Sequence, residues 1–195
     1  MKTTKCIALA LIAIINLTAC SSDDDATPEV INEEEVITTI TVTLVPQTGE
    51  TVTLSSRDLD GDGPNPPVIN ISGSLQAGIL YEGSIELLNE TVSPAEIVNE
   101  EIEEEADAHQ FFYQVSTGLN ATITYTDTEN EYLSNGSQNP VGINFQLQAG
   151  DASTGILSVT LRHQPSKDAA GVSDGDIANA GGESDVAQSF EVEIE

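Results

Sequence analysis

Cysteine is nearly missing from this chain, with 2 among 195 residues, and basic side chains are scarce, with 5 Lys and Arg against 33 Asp and Glu. Long apolar runs are missing too: the one at 7–15 covers about nine residues, where a spanning helix needs roughly twenty. Each shortage excludes something. Both cysteines, Cys6 and Cys20, fall at the amino-terminal end. The rest of the chain therefore has no thiol for a disulfide, a zinc-thiolate site or a cysteine nucleophile. Beyond Cys20 the only cations are Arg57, Arg162 and Lys167. A nucleic-acid backbone needs clustered Lys and Arg to release its counterions, so nucleic acid is excluded as a partner. The formal net charge is −28. Self-repulsion of that size destabilises a compact state, and bound cations relieve it.

What is present begins with an address. Lys2 and Lys5 precede the apolar run, and the run leads into Leu17-Thr18-Ala19-Cys20. A charged start, a short apolar stretch and small residues before a cysteine are the marks of a lipoprotein signal peptide, with Cys20 as the acylated amino terminus. The expected organisation is a signal peptide over 1–19, a lipidated Cys20 opening an acidic tether over 20–35, and one domain over 36–195. The tether carries Asp23, Asp24, Asp25, Glu33, Glu34 and Glu35. Such an anionic tract buries little apolar surface and extends by repulsion. It also resembles the acidic export signal of Bacteroidota surface lipoproteins, which implies the outer membrane and its outward face. A spacer on a lipoprotein of the periplasmic face is the alternative.

From Val36 the period is two. Ile40, Val42 and Leu44 alternate with threonines, and a turn over 46–50 leads into 51–54 as a hairpin. Further strands are expected at 68–73, 79–88, 110–117, 120–127, 141–149, 155–163 and 186–194. Nine short strands separated by Gly, Asn, Asp and Pro indicate an all-β fold, an antiparallel sandwich of the immunoglobulin or fibronectin type III kind. Leu75, Gly78 and Tyr81 resemble the L-x-x-G-x-x-Y tyrosine corner of such sandwiches, which gives Tyr81 a structural role. One short acidic helix is expected, with Ser93 as N-cap, Pro94 at the first turn, Glu96 closing a capping box, and an end near Ala108. Val98, Ile102 and Ala106 form its apolar stripe.

Three groups of residues invite cations. Asp58, Asp60 and Asp62, with Gly61 and Gly63, match the first half of an EF-hand calcium loop, although position twelve is Ile69 rather than a bidentate acid. Calcium is therefore the expected ion there, its shell completed from elsewhere. Six acids crowd the expected helix just ahead of His109, and their i, i+4 repulsion calls for an offset. Glu105 and His109 would share a helical face, and His163 lies in phase with Leu157, Val159 and Leu161. Glu105, His109 and His163 are thus candidate transition-metal ligands, provided the two histidines lie within about 4–5 Å of one another. Last, the glycine-rich stretch over 164–185 offers Asp174, Asp176, Glu183 and Asp185 as a second calcium set. Evidence for catalysis is thin: there is no G-x-S-x-G elbow, phosphate loop or dinucleotide fingerprint.

The segments RDLDGDGPNPP (57–67), LLNETVSP (87–94), DAHQFFYQ (107–114), LRHQP (161–165) and AGGESD (180–185) resemble those of small acidic Bacteroidota lipoproteins labelled "type 1 periplasmic binding fold superfamily". That label implies two α/β lobes around a ligand, a plan requiring a longer chain with strand-helix-strand units. What the resemblance adds is an envelope binding protein. The leading expectation is a non-enzymatic, lipid-anchored β-sandwich that captures a ligand, with calcium as cofactor and an outer-membrane uptake receptor as partner. A pocket lined by Phe111, Phe112 or Tyr113 would mark such capture. The alternatives are a structural or adhesive surface module and a metal-dependent hydrolase.

Overall fold

The period-two alternation becomes two antiparallel sheets in the computed structural model, which describes residues 35–61 and 63–195. The expected signal peptide, Cys20, the expected tether up to residue 34 and Asp62 lie outside the described residues. In chain order the strands are β1 (Thr39–Pro46), β2 (Val52–Arg57), β3 (Val68–Ile71), β4 (Leu80–Asn89), β5 (Glu96–Ile97), β6 (His109–Val115), β7 (Ala121–Tyr125), β8 (Asn144–Ala149), β9 (Ser153–His163) and β10 (Glu183–Ile194). Two short helices interrupt them, α1 (Asn99–Glu104) and α2 (Glu129–Leu133). The larger sheet runs β3-β2-β1-β4-β8-β7, with β5 paired to β4, and the smaller runs β10-β9-β6. An all-β sandwich-like architecture is the result.

Alternation decides which side chains go between the sheets. Ile40, Val42 and Leu44 of β1 and Ile85 and Leu87 of β4 meet Leu157, Val159 and Leu161 of β9 and Phe190, Val192 and Ile194 of β10 in one core. Burial of each such side chain contributes roughly 1.5–3 kcal/mol. The tyrosine corner is present: the Gln76 amide donates to the Tyr81 hydroxyl at 2.7 Å, and Tyr81 is buried. It sits where the chain leaves Leu75, bridged to Ile194 at the edge of the small sheet, and enters β4 of the large one.

The helix differs from expectation. The Ser93–Pro94 bond is cis, and Glu96 and Ile97 pair with Asn89 and Leu88 instead of starting a helix. Strand pairing thus overrides the local capping-box signal, and α1 begins only at Asn99, without a side-chain cap. Asn99 has another task. Its Oδ1 accepts from the Leu87 amide at 2.7 Å and its Nδ2 donates to the Ile85 carbonyl at 2.9 Å, which stitches α1 to β4. Val98, Ile102 and Ala106 are buried as the stripe predicted.

The stretch after β9 is ordered by a second small core. Phe112, on the outer face of β6, packs with Val172 and Ala180, and two 3-10 turns at Val172–Asp174 and Ile177–Asn179 shape the segment. Lys167 pins it to the helices. Its buried ammonium donates to the Ala106 carbonyl at 2.6 Å and the Pro140 carbonyl at 3.1 Å, and pairs with the buried Glu129 carboxylate at 2.9 Å. Removing one partner of a buried ion pair strands the other charge and costs about 3–5 kcal/mol. Lys167→Ala should therefore lower the unfolding free energy by that amount, read as a fall in the urea midpoint at unchanged m-value. Arg57→Ala, which removes the exposed pair with Glu90, should change it little.

Candidate metal centre

His109 opens β6 and His163 closes β9, and the register of the two strands sets them directly opposite each other. Residues so paired across a sheet hold their side chains about 4.5–5.5 Å apart. Here the imidazole centroids are 4.5 Å apart, with the rings tilted by 32°. His109 continues the inward phase of Phe111 and Tyr113, as His163 continues that of Leu161, so both rings lie at the end of the core with 0% and 4% of their side-chain surface exposed. The distance condition set for a shared transition-metal site is met.

Two carboxylates join them. Asp185 lies in β10 where the register slips between Ser184 and Val186, and this irregularity adds a residue opposite β9. A bulge of that kind re-aims a side chain. The Asp185 side chain is 2% exposed, with its Oδ1 3.9 Å from His163 Nδ1. The strand can start beside His163 because Gly182 has φ +67° and lies against the histidine's backbone: a Cβ there would stand 2.1 Å from the His163 carbonyl oxygen. Glu35 comes from the other sheet, four residues ahead of β1. Its side chain is 3% exposed, and its Oε1 accepts from His109 Nε2 at 2.9 Å. The second oxygen, Oε2, is buried with no hydrogen-bond partner.

One potential ligand atom from each of Glu35, His109, His163 and Asp185 lies within 4.8 Å of every other. Ligands around a tetrahedral ion at about 2.0–2.2 Å stand roughly 3.5 Å apart, so shifts of about an ångström would close the set on a cation. His109 is already oriented for this, because its Nδ1 meets the Glu105 carbonyl at 3.1 Å and leaves Nε2 turned toward Glu35. A hydrogen bond from the far ring nitrogen to a carbonyl is the usual support of a ligating histidine.

The surrounding charge favours a cation. Burial disfavours the imidazolium of His109, but the hydrogen bond and charge of Glu35, the Glu105 carbonyl and the charge of Asp185 outweigh it and raise the pKa. Burial likewise opposes the Glu35 carboxylate, and the hydrogen bond from His109 overcomes it, so that pKa is lowered. The Glu101 carboxyl is held above the ordinary range, first by loss of solvent and then by the charges of Glu35, Glu105 and Glu96. The two carboxylates bring two negative charges, which one dication would neutralise when it displaces the proton from the imidazole nitrogens that bind it.

Several sequence expectations land elsewhere. Glu105 contributes its backbone carbonyl rather than its carboxylate, because α1 ends at Glu104 and His109 belongs to a strand rather than to a continuing helix. Glu35, assigned to the tether, lies in the body of the domain. Asp174, Asp176 and Glu183 do not join Asp185: Asp176 caps a 3-10 turn by accepting from the Ala178 amide, and Glu183 is exposed at the start of β10. Asp185 instead faces imidazoles. In the 58–63 loop, Asp58 Oδ1 accepts from the Asp60 and Gly61 amides, and Asp60 Oδ2 from Asn65 Nδ2 at 2.7 Å. Phe111 and Tyr113 are buried in the main core and Phe112 in the small one, so packing consumes the aromatics expected to line a pocket.

Of the four residues, the phase of His163 with Leu157, Val159 and Leu161 was the signal read in the sequence, while His109 was expected on a helix face and instead opens β6 in phase with Phe111 and Tyr113. Nothing local marked Glu35 or the bulge at Asp185. No family model matches the chain, and no curated protein or solved structure resembles it at a significant level.

The Glu35–His109 pair gives a testable pH signature in the metal-free protein. A raised His109 pKa stabilises the fold below the unfolded value of 6.5, and this is lost as pH rises through the folded value. A lowered Glu35 pKa stabilises above 4.5, and this is lost as pH falls through the folded value. The difference in unfolding free energy between wild type and Glu35→Gln should therefore peak between those two values and shrink on either side. Urea titrations with chelator present would show it, and a flat difference would refute the pairing.

Proposed function

We propose that this chain is a lipid-anchored cell-envelope protein that binds one divalent transition-metal ion, zinc foremost, through Glu35, His109, His163 and Asp185. The observation that carries this reading is the convergence of two imidazoles and two carboxylates at one buried end of the sandwich, with a carboxylate oxygen of Glu35 left unpaired there. Nitrogen and oxygen donors without thiolate or thioether suit zinc and its divalent neighbours and disfavour cuprous ion. Calcium prefers six to eight oxygens and is a poor match for imidazoles. Four side chains also fill a tetrahedral shell and leave no open position for a reacting water, so holding the ion fits better than hydrolysis.

The rest of the molecule supports capture. The Cys20 motif supports a lipid anchor, with the outward face of the outer membrane as the favoured location, and the net charge of −28 draws cations toward the protein's surface. Delivery to an outer-membrane uptake receptor is the role that fits these properties. Calcium at the 58–63 loop is a separate proposal, independent of the histidines.

Calorimetry on residues 21–195 after chelator treatment tests both. Zinc should bind with one ion per chain. At a free concentration a hundredfold above its dissociation constant it should add about 2.7 kcal/mol of stability, which is a rise of roughly 5–10 °C in Tm. His109→Ala and His163→Ala should each weaken zinc by at least the ~10–100-fold that even an outer-shell partner is worth, and should leave any calcium heat unchanged. Absence of zinc binding would remove the metal reading and favour a structural surface module.

A further inference from the structure

The four side chains are not equivalent in how the fold holds them. His109, His163 and Asp185 stand on three strands hydrogen-bonded side by side in the small sheet, β6, β9 and β10. Glu35 stands alone on the lead into β1, on the side of the large sheet. Among the described residues, backbone hydrogen bonding of that lead to the body begins only at Thr38, whose amide donates to the Leu88 carbonyl at 2.9 Å. Ahead of Thr38, Ile37 packs partly on the core while Val36 is 54% exposed. An apolar side chain thus faces water while its acidic neighbour is buried. Burying a carboxylate costs several kcal/mol unless it is paired. Here the carboxylate is held by the hydrogen bond from His109, a hydrogen bond to its own backbone and the nearby imidazoles, while Oε2 has no hydrogen-bond partner among the described residues. The pair with His109 holds Glu35 inward without a cation, but Oε2 is left unmatched, and a cation would satisfy it.

We propose that Glu35 is the movable ligand of this centre: the ion is loaded and released as the lead carrying Glu35 swings in and out, and metal occupancy in turn clasps that lead to the body of the domain. This rests on the metal reading above. Three ligands on one rigid sheet form a half-built site open toward the lead, and the fourth closes it. The arrangement explains how a centre with 0–4% of its side-chain surface exposed exchanges its ion. It also carries a consequence outward, since Glu35 is the ligand nearest in sequence to Cys20. Occupancy and clasping are two sides of one linkage: whatever holds the lead in place tightens metal binding, and metal tightens the lead by the same factor. A partner that grips the lead would by the same rule control release of the ion.

The test uses a glutamate-specific protease on the full-length chain in detergent. Cleavage of the Glu35–Val36 bond requires the Glu35 side chain to leave the site and enter the protease, so its rate tracks the open population when opening and closing are fast. Zinc at a hundred times its dissociation constant should reduce that population by about a hundredfold, and cleavage after Glu35, mapped by mass spectrometry, should slow by at least tenfold. Cleavage after Glu50, exposed in the β1–β2 turn, should not change. Chelator should restore the first rate. Asp185→Asn, which leaves the lead intact, should abolish the zinc effect. If calorimetry shows that zinc binds while cleavage after Glu35 is unaltered, the clasp is wrong and the metal centre stands. If calorimetry shows no binding, the metal reading fails and the clasp fails with it.

Discussion

The pairing of β6 with β9 is the constraint on which the rest depends. Residues 54 positions apart become neighbours only because His109 is registered against His163, and the same register sends Phe111, Tyr113 and Val115 to meet Leu161, Val159 and Leu157. A slip of β6 by one residue would turn His109 and the apolar set of that strand out to solvent. The hydrophobic core and the candidate centre are therefore specified together. Whatever holds the aromatics of β6 inside also holds the histidines inside.

Charge scarcity gives that centre its character. The cations after Cys20 are committed elsewhere: Arg57 pairs with Glu90, Lys167 with Glu129, and Arg162 donates to the Gly182 carbonyl. Among the described residues, Glu35 pairs with His109, and Asp185 stands 3.9 Å from His163. A buried carboxylate partnered by a histidine is in a site that a proton or a metal ion can share. A lysine or arginine in that place would have closed the question permanently. The near absence of basic side chains, which at first reads as a matter of solubility, leaves this site available to a dication.

Much of the fold could be read in advance. Alternation located the strands to within a few residues, and the Leu75-Gly78-Tyr81 spacing identified a hydrogen bond that the structure contains. The helix was misplaced because its cap signals are local, whereas the pairing of Glu96 and Ile97 with β4 is not. α2 went unread, since five residues around Tyr132 carry too little periodicity to show. The histidines were suspected but joined to the wrong acid. Glu105 looked like a partner on the assumption that the helix ran on to residue 109, and a strand beginning at His109 leaves only its carbonyl in reach.

The chain's own pattern was enough to decide its class: no thiols beyond Cys20, alternating strands, and a histidine, His163, in phase with a strand's apolar residues. These follow from covalent spacing and side-chain chemistry, which act over a few residues. Which acids meet the two histidines was decided only by folding. Asp185 arrives through a register slip in β10 beside a glycine that tolerates His163, and Glu35 arrives because the lead into β1 of one sheet passes over the end of the other. Both depend on contacts between distant segments, and no local pattern encodes them.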